Sequence, residues 1–114
     1  MDINRLKELF LDPRLDYFKI ILLFGSRAMH LEHEKSDYDF AVYTEKKFDN
    51  PWGDSAKFWN DFSDILPLHE CDYDIVDLRS ATKELKHSIE EGYILLKGKE
   101  DELQRVLAKN ERNC

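Results

Sequence analysis

An apolar run from Phe18 to Phe24, interrupted only by Lys19, stops at Gly25-Ser26. After ten intervening residues comes Asp37-Tyr38-Asp39, at the start of a second strand-like run. A Gly-Ser turn can bring backbone N–H groups and a hydroxyl against a phosphate. Glycine has no Cβ in the way, and a short helix after it presents free N–H donors. Two carboxylates two residues apart on a strand point to one face, about 6.5–7 Å apart along it. That spacing suits Mg2+, which takes a few carboxylates and lets substrate phosphates complete its octahedron. A phosphate cradle joined to a metal-holding pair by one short connection reads as nucleotide chemistry.

In-line displacement at phosphorus is served by two cations about 3.5–4 Å apart, and two close cations need at least three carboxylates. The third must come from a neighbouring strand. Asp72–Leu78, DYDIVDL, is a third strand-like run carrying acids, and alternation sets Asp72 and Asp74 on one face and Asp77 on the other. Three carboxylates within about 5 Å repel by several kcal/mol when no cation joins them. A purely structural protein gains nothing by gathering them. Asp77 stands where strand gives way to helix, and a cap or a solvated end is its ordinary role.

The elements that must position these residues alternate along the chain. Ile3, Leu6, Leu9 and Phe10 lie on one helical face, ended by Asp12-Pro13. The first strand runs about Phe18 to Phe24, a short helix about Ser26 to Leu31, and the next strand about Asp37 to Thr44. Asn50-Pro51 and Gly53 mark a turn. Asp54 or Ser55 then caps a helix whose stripe is Phe58, Trp59, Phe62, Ile65 and Leu66, closed by Pro67. That stripe reads first as core packing, with adenine stacking by Trp52 or Trp59 the minor alternative. Ser80 or Thr82 starts a helix through Leu85 and Ile89 to Glu91, and Gly92 stops it. Tyr93 to Leu96 is a short strand ended near Gly98, and Asp101 to Asn110 is a final amphipathic helix before a frayed tail, Glu111 to Cys114. The alternation predicts an α/β fold, a small mixed β-sheet packed with helices.

Composition narrows the classes. One hundred and fourteen residues make one domain, 1–114, with a core of about 18–96 and a C-terminal helix of about 100–110. No apolar run approaches the roughly 20 residues of a membrane span, and Met1-Asp2-Ile3-Asn4 does not begin a signal peptide. Cys71 and Cys114 make no disulfide framework or metal cluster, and Cys71 reads as a small apolar filler beside a strand. His30, His33, His69 and His87 lack metal-ligand spacing. The expected compartment is the cytoplasm. Net charge is −7, 24 acids against 17 bases, with Lys and Arg scattered. A free-standing nucleic-acid binder needs a basic face, so none is expected; a small nucleotide arriving with its metal ion is compatible.

The spacing GS, ten residues, DxD resembles the signature of the nucleotidyltransferase superfamily related to DNA polymerase β. Arg27, Ala28, Ser36 and the apolar run after the carboxylates, GSRA and SDYDFAV, are similar to its minimal nucleotidyltransferase (MNT) branch. His30 departs from the second glycine usual there. The resemblance covers about Ile20 to Leu96 and implies the polymerase β-like nucleotidyltransferase fold. It implies a two-metal Mg2+ site on Asp37, Asp39 and Asp74, which would be both catalytic and metal-binding, with ATP or another nucleoside triphosphate as substrate. Asp74 is assigned because the family's third carboxylate opens a strand reading D-apolar-apolar-D, here Asp74-Ile75-Val76-Asp77; Asp72 shares its parity and is the rival. Gly25 and Ser26 would hold the β- and γ-phosphates. Arg27 would add charge or be a surface residue at a helix start, and Ser36 would cap or orient the turn into Asp37.

MNT proteins are commonly paired with HEPN-domain toxins, to which the MNT antitoxin adds AMP. The resemblance therefore implies an adenylyltransferase with a HEPN-type partner. A non-catalytic module of the same fold that neutralises a partner is the alternative, and a nucleotide sensor the third; pyrophosphate release from ATP and Mg2+ separates them. A homo-oligomer stays open.

Overall fold

The strand β1, Ile20–Phe24, is apolar throughout because both of its faces are covered, and all five residues are buried. The computed structural model describes residues 3–25, 28, 38–46, 53–67 and 73–112. Within these, β1 is joined by β2 (Tyr38–Tyr43), β3 (Tyr73–Asp77) and β4 (Tyr93–Lys97) in the order β3-β2-β1-β4. β1 pairs antiparallel with both β2 and β4, and β2 pairs parallel with β3. The sheet is thus small and mixed, as the alternation predicts.

Helices α1 (Ile3–Leu9) and α2 (Asp54–Ile65) cover one face. Leu6, Phe10, Phe58 and Phe62 meet Ile21, Leu23, Phe40, Val42 and Tyr73 there. Phe40 is edge-on to Phe10 at 5.6 Å and to Phe62 at 5.7 Å. The aromatic stripe of α2 is therefore core, and Trp59 stacks on Tyr73 at 5.0 Å within that layer. Trp52 lies outside the described residues. Helices α3 (Lys83–Glu91) and α4 (Glu100–Arg112) supply Ile89, Leu103, Val106 and Leu107 to a second layer with Ile20, Leu22, Phe24 and Ala41. A fully buried residue of this size contributes about 1.5–3 kcal/mol of transfer free energy, so two such layers hold the sheet from both sides.

Several ends differ from the sequence expectation, each for a local reason. β1 starts at Ile20 because the Phe18 N–H donates to the Leu15 carbonyl (3.1 Å), closing the 3-10 turn Pro13–Leu15. The α2 N-cap is Gly53, with no side-chain cap; the Asp54 carboxylate instead pairs with Arg79 at 2.8 Å. Thr82, not Ser80, caps α3, its Oγ1 accepting from Leu85 N–H at 3.2 Å. Ser80 belongs to a 3-10 turn, Leu78–Ser80, capped by Asp77. α4 runs on through Glu111 and Arg112, two residues into the expected tail. The expected helix at Ser26 to Leu31 falls outside the described residues except for Ala28, whose N–H donates to the Gly25 carbonyl at 3.1 Å. Among the described residues no helix is long and apolar enough to cross a membrane.

Candidate active site

One row of cross-strand partners defines the site. Tyr93 faces Phe24, Phe24 faces Asp39, and Asp39 faces Asp74, across all four strands. β1 ends at this row while β2, β3 and β4 begin at it, so the chain turns cluster at this edge. Alternation puts Asp39 and Asp74 on the face of Phe24, Ala41 and Val76, the side covered by α3 and α4. Neighbouring strands lie about 4.8 Å apart, which brings the two carboxylates within reach of a shared cation. Like charges directly opposite are otherwise destabilising. Asp39 is half-buried and Asp74 exposed. The Ile75 N–H donates to Asp74 Oδ1 at 3.0 Å, which orients that carboxylate.

Gly25 is held against Asp39. Its φ is +79°, in the left-handed region, and a Cβ built there would stand 2.5 Å from Asp39 Oδ2. Glycine is required twice over, by conformation and by close approach. Sequence reasoning assigned Gly25 to the phosphates alone; its fit to the carboxylate shows only when β1 and β2 are paired.

Ser26, Arg27, Ser36 and Asp37 lie outside the described residues, as do His30, Cys71 and Asp72. Among the described residues, no three His, Cys, Asp or Glu side chains are grouped as a metal site. Asp39 and Asp74 are hard oxygen donors of the kind Mg2+ takes, and the missing Cβ of Gly25 leaves room beside Asp39 Oδ2. The described part of the site fits that cation.

Asp77 is separated from this row in both respects. It pairs with Val42 at the far end of β2 and its side chain turns to the α2 face. There it accepts from Arg79 N–H at 2.9 Å and from Arg79 Nη2 at 2.8 Å. The same guanidinium donates to Asp54 (2.8 Å) and to the Lys46 carbonyl (2.9 Å), and its carbon lies 5.8 Å from the Phe58 ring centroid. Arg79 is thus a knot joining β3, the segment after β2 and the start of α2. Its hydrogen bonds to Asp77 raise its pKa above the usual arginine value. The sequence shows Asp77 as a cap, but nothing local shows Arg79 reaching Asp54.

Comparison with known proteins gives one consistent picture. The family described as "Polymerase beta, Nucleotidyltransferase" matches residues 6–102. Protein adenylyltransferase MntA of Aphanizomenon flos-aquae (strain 2012/KM1/D3) is 33% identical over 121 residues, covering 95% of this chain and 80% of that protein. A toxin–antitoxin crystal structure with AMP-PNP superposes with a TM-score of 0.68 at 27% identity, over 96% of this chain and 83% of the other. A tri-AMPylated Shewanella oneidensis HEPN toxin in complex with its MNT antitoxin contains a similar chain, with TM-score 0.63 and 25% identity over 94% and 78%.

Proposed function

Because the chain belongs to the polymerase β nucleotidyltransferase family, we propose that it is a protein adenylyltransferase that moves AMP from ATP onto a HEPN-type toxin and so acts as its antitoxin. The single observation carrying this reading is the registered pair Asp39 and Asp74, with Gly25 fitted against the first. The family match supports the reaction class. The similarity to an adenylyltransferase and to an AMPylated toxin–antitoxin complex supports the donor and the acceptor.

Asp37, Asp39 and Asp74 would hold Mg2+, two ions by the carboxylate count. When bound, the metal neutralises charge building on the attacking and leaving oxygens. Gly25 and Ser26 would receive the β- and γ-phosphates through backbone N–H groups and the serine hydroxyl, and Arg27 would add charge there. Ser36 would cap or orient the turn into Asp37. The half-buried Asp39 lies against Gly25, where a side chain would meet its carboxylate, and Asp74 is exposed to an incoming acceptor hydroxyl. That oxygen, its proton passing to solvent, joins the α-phosphorus as the bond to the β-phosphate breaks, and pyrophosphate leaves. A net charge of −7 suits a protein acceptor better than a nucleic acid. A donor such as ATP places this work in the cytoplasm.

Incubating the chain with α-labelled ATP, Mg2+ and a HEPN-domain protein tests the reading. Label should appear on a toxin side chain, with one pyrophosphate released per AMP transferred. Toxin neutralised without label or pyrophosphate would replace catalysis by the partner-neutralising module, and ATP bound without release in either case would make it a sensor.

A further inference from the structure

The turn that follows α1 puts a large apolar side chain into solvent. Leu11 is 74% exposed, the one large hydrophobic residue so exposed among the described residues. The backbone holds it there: Leu11 N–H donates to the Glu8 carbonyl and Asp12 N–H to the Leu9 carbonyl, both at 3.2 Å. A single exposed leucine is ordinary on a protein surface. Its flanks are not.

Leu11 is the ridge between two clefts. One lies between α1 and the end of α2, where the apolar Leu9 and Ile65 are joined by Glu8, Asp12 and Asp64, with Arg14 the one base. The other lies between α1 and β4, where Phe10, Leu95 and Leu96 are joined by Lys7 and Lys97, with no acid among the described residues. Arg14 already binds Asp12 (3.1 Å), and Lys97 already donates to the Leu15 carbonyl (2.7 Å). The exposed charges left are Glu8 and Asp64 on one flank and Lys7 on the other. Glu8 also pairs with Arg5 at 3.6 Å, but both ends are exposed and such a pair holds weakly. In a chain of net charge −7, a cleft that carries lysines alone stands apart from the general surface.

Opposite charge on the two flanks of one ridge is what a self-complementary patch requires. In a two-fold pair the same patch meets itself, and each flank faces the other flank of the second copy. With the axis at Leu11, the two leucines leave water together. Lys7 of each copy then comes to Glu8 and Asp64 of the other. We propose that two copies of this chain associate about a two-fold axis at Leu11, the lysine cleft of each set against the acidic cleft of the other. Neither cleft is lined by Phe24, Asp39, Asp74 or Tyr93, so the contact does not use the carboxylate row and does not rest on the adenylyltransferase reading. One turn and the clefts beside it make a small interface, which gives a concentration-dependent pair.

Sedimentation equilibrium of the full chain, without nucleotide or partner protein, tests this. Wild type should rise from the 13.6 kDa of one chain toward twice that mass between low-micromolar and near-millimolar concentration. Leu11→Glu sets two carboxylates on the axis and should weaken association by about ten- to a hundredfold. Lys7→Glu should do the same, as should the double variant Glu8→Lys, Asp64→Lys. All four positions are exposed, so melting temperatures should stay near wild type. The decisive sample mixes Lys7→Glu with the double variant. Within either variant both contacts set like charges together; in the mixed pair both contacts join opposite charges, and the dimer should return. A wild type that stays monomeric overturns the proposal, as does a Leu11→Glu chain that dimerises like wild type. Mixed variants that stay monomeric overturn it as well, because the two-fold arrangement demands their pairing. If wild type is monomeric alone and a HEPN-domain protein binds it through Leu11, the patch belongs to that partner and the second copy is ruled out.

Discussion

At the scale of single residues, the absence of a side chain at Gly25 leaves the Asp39 carboxylate its place. A side chain at position 25 would have to adopt φ +79° and stand 2.5 Å from Asp39 Oδ2. Gly25→Ala should therefore lose about 1–2 kcal/mol from the left-handed backbone. It should also displace the carboxylate, and a displacement near 1 Å lowers transfer by about a hundredfold. Thermal melts alongside kcat check both parts; a variant that melts earlier but transfers normally would limit Gly25 to conformation. Asp39→Asn keeps the shape and removes the charge. Transfer should fall by orders of magnitude, while the melting temperature holds or rises, since Asp74 no longer faces a like charge. Normal rates in that variant at saturating Mg2+ would remove Asp39 from the chemistry.

At the scale of elements, the parallel pairing of β2 with β3 separates Asp74 from Asp77. Asp74 faces Asp39, while Asp77 faces Val42 and caps the 3-10 turn Leu78–Ser80. Asp74→Ala should abolish transfer and weaken Mg2+ binding with little change in melting. Asp72→Ala, one pleat before it, should lower transfer about tenfold through the local field. Asp77→Ala should leave transfer at saturating ATP unchanged and lower the melting temperature by several degrees. It removes a cap and a partner of the partly buried Arg79, together worth about 1–2 kcal/mol. Activity kept by Asp74→Ala and lost by Asp72→Ala would shift the functional register by one pleat.

At the scale of the whole molecule, the carboxylates depend on a sheet held from both faces. Phe40 lies next to Asp39 on β2 but points the other way, among Phe10, Phe62 and Tyr73. One strand thus anchors its hydrophobic side under α1 and α2 and presents its acid on the opposite side. Phe40→Ala should cost about 3–5 kcal/mol, as large-to-small changes of buried aromatics do. In a domain of this size that approaches the full stability, so denaturant unfolding should show a sharply lower midpoint and transfer should fail with the fold. A stable variant with normal activity would mean that the α2 face does not support the site.

The sequence alone determined the chemistry and most of the elements. Gly25-Ser26 and Asp37-Tyr38-Asp39 are short-range signals, since glycine geometry and strand parity are local properties, and the family resemblance rested on the same residues. Helix stripes such as Phe58, Trp59 and Phe62 were legible for the same reason: their period reports the buried face directly. Tertiary structure alone decided which residues meet across strands. Register set Asp39 opposite Asp74 and Gly25 against Asp39, and it carried Arg79 to Asp54 across 25 positions of sequence. It also buried Lys86, which reads in the chain as one more solvated lysine between Leu85 and Ile89. These are long-range pairings, fixed by how the layers pack on both faces of the sheet, and no local periodicity encodes them.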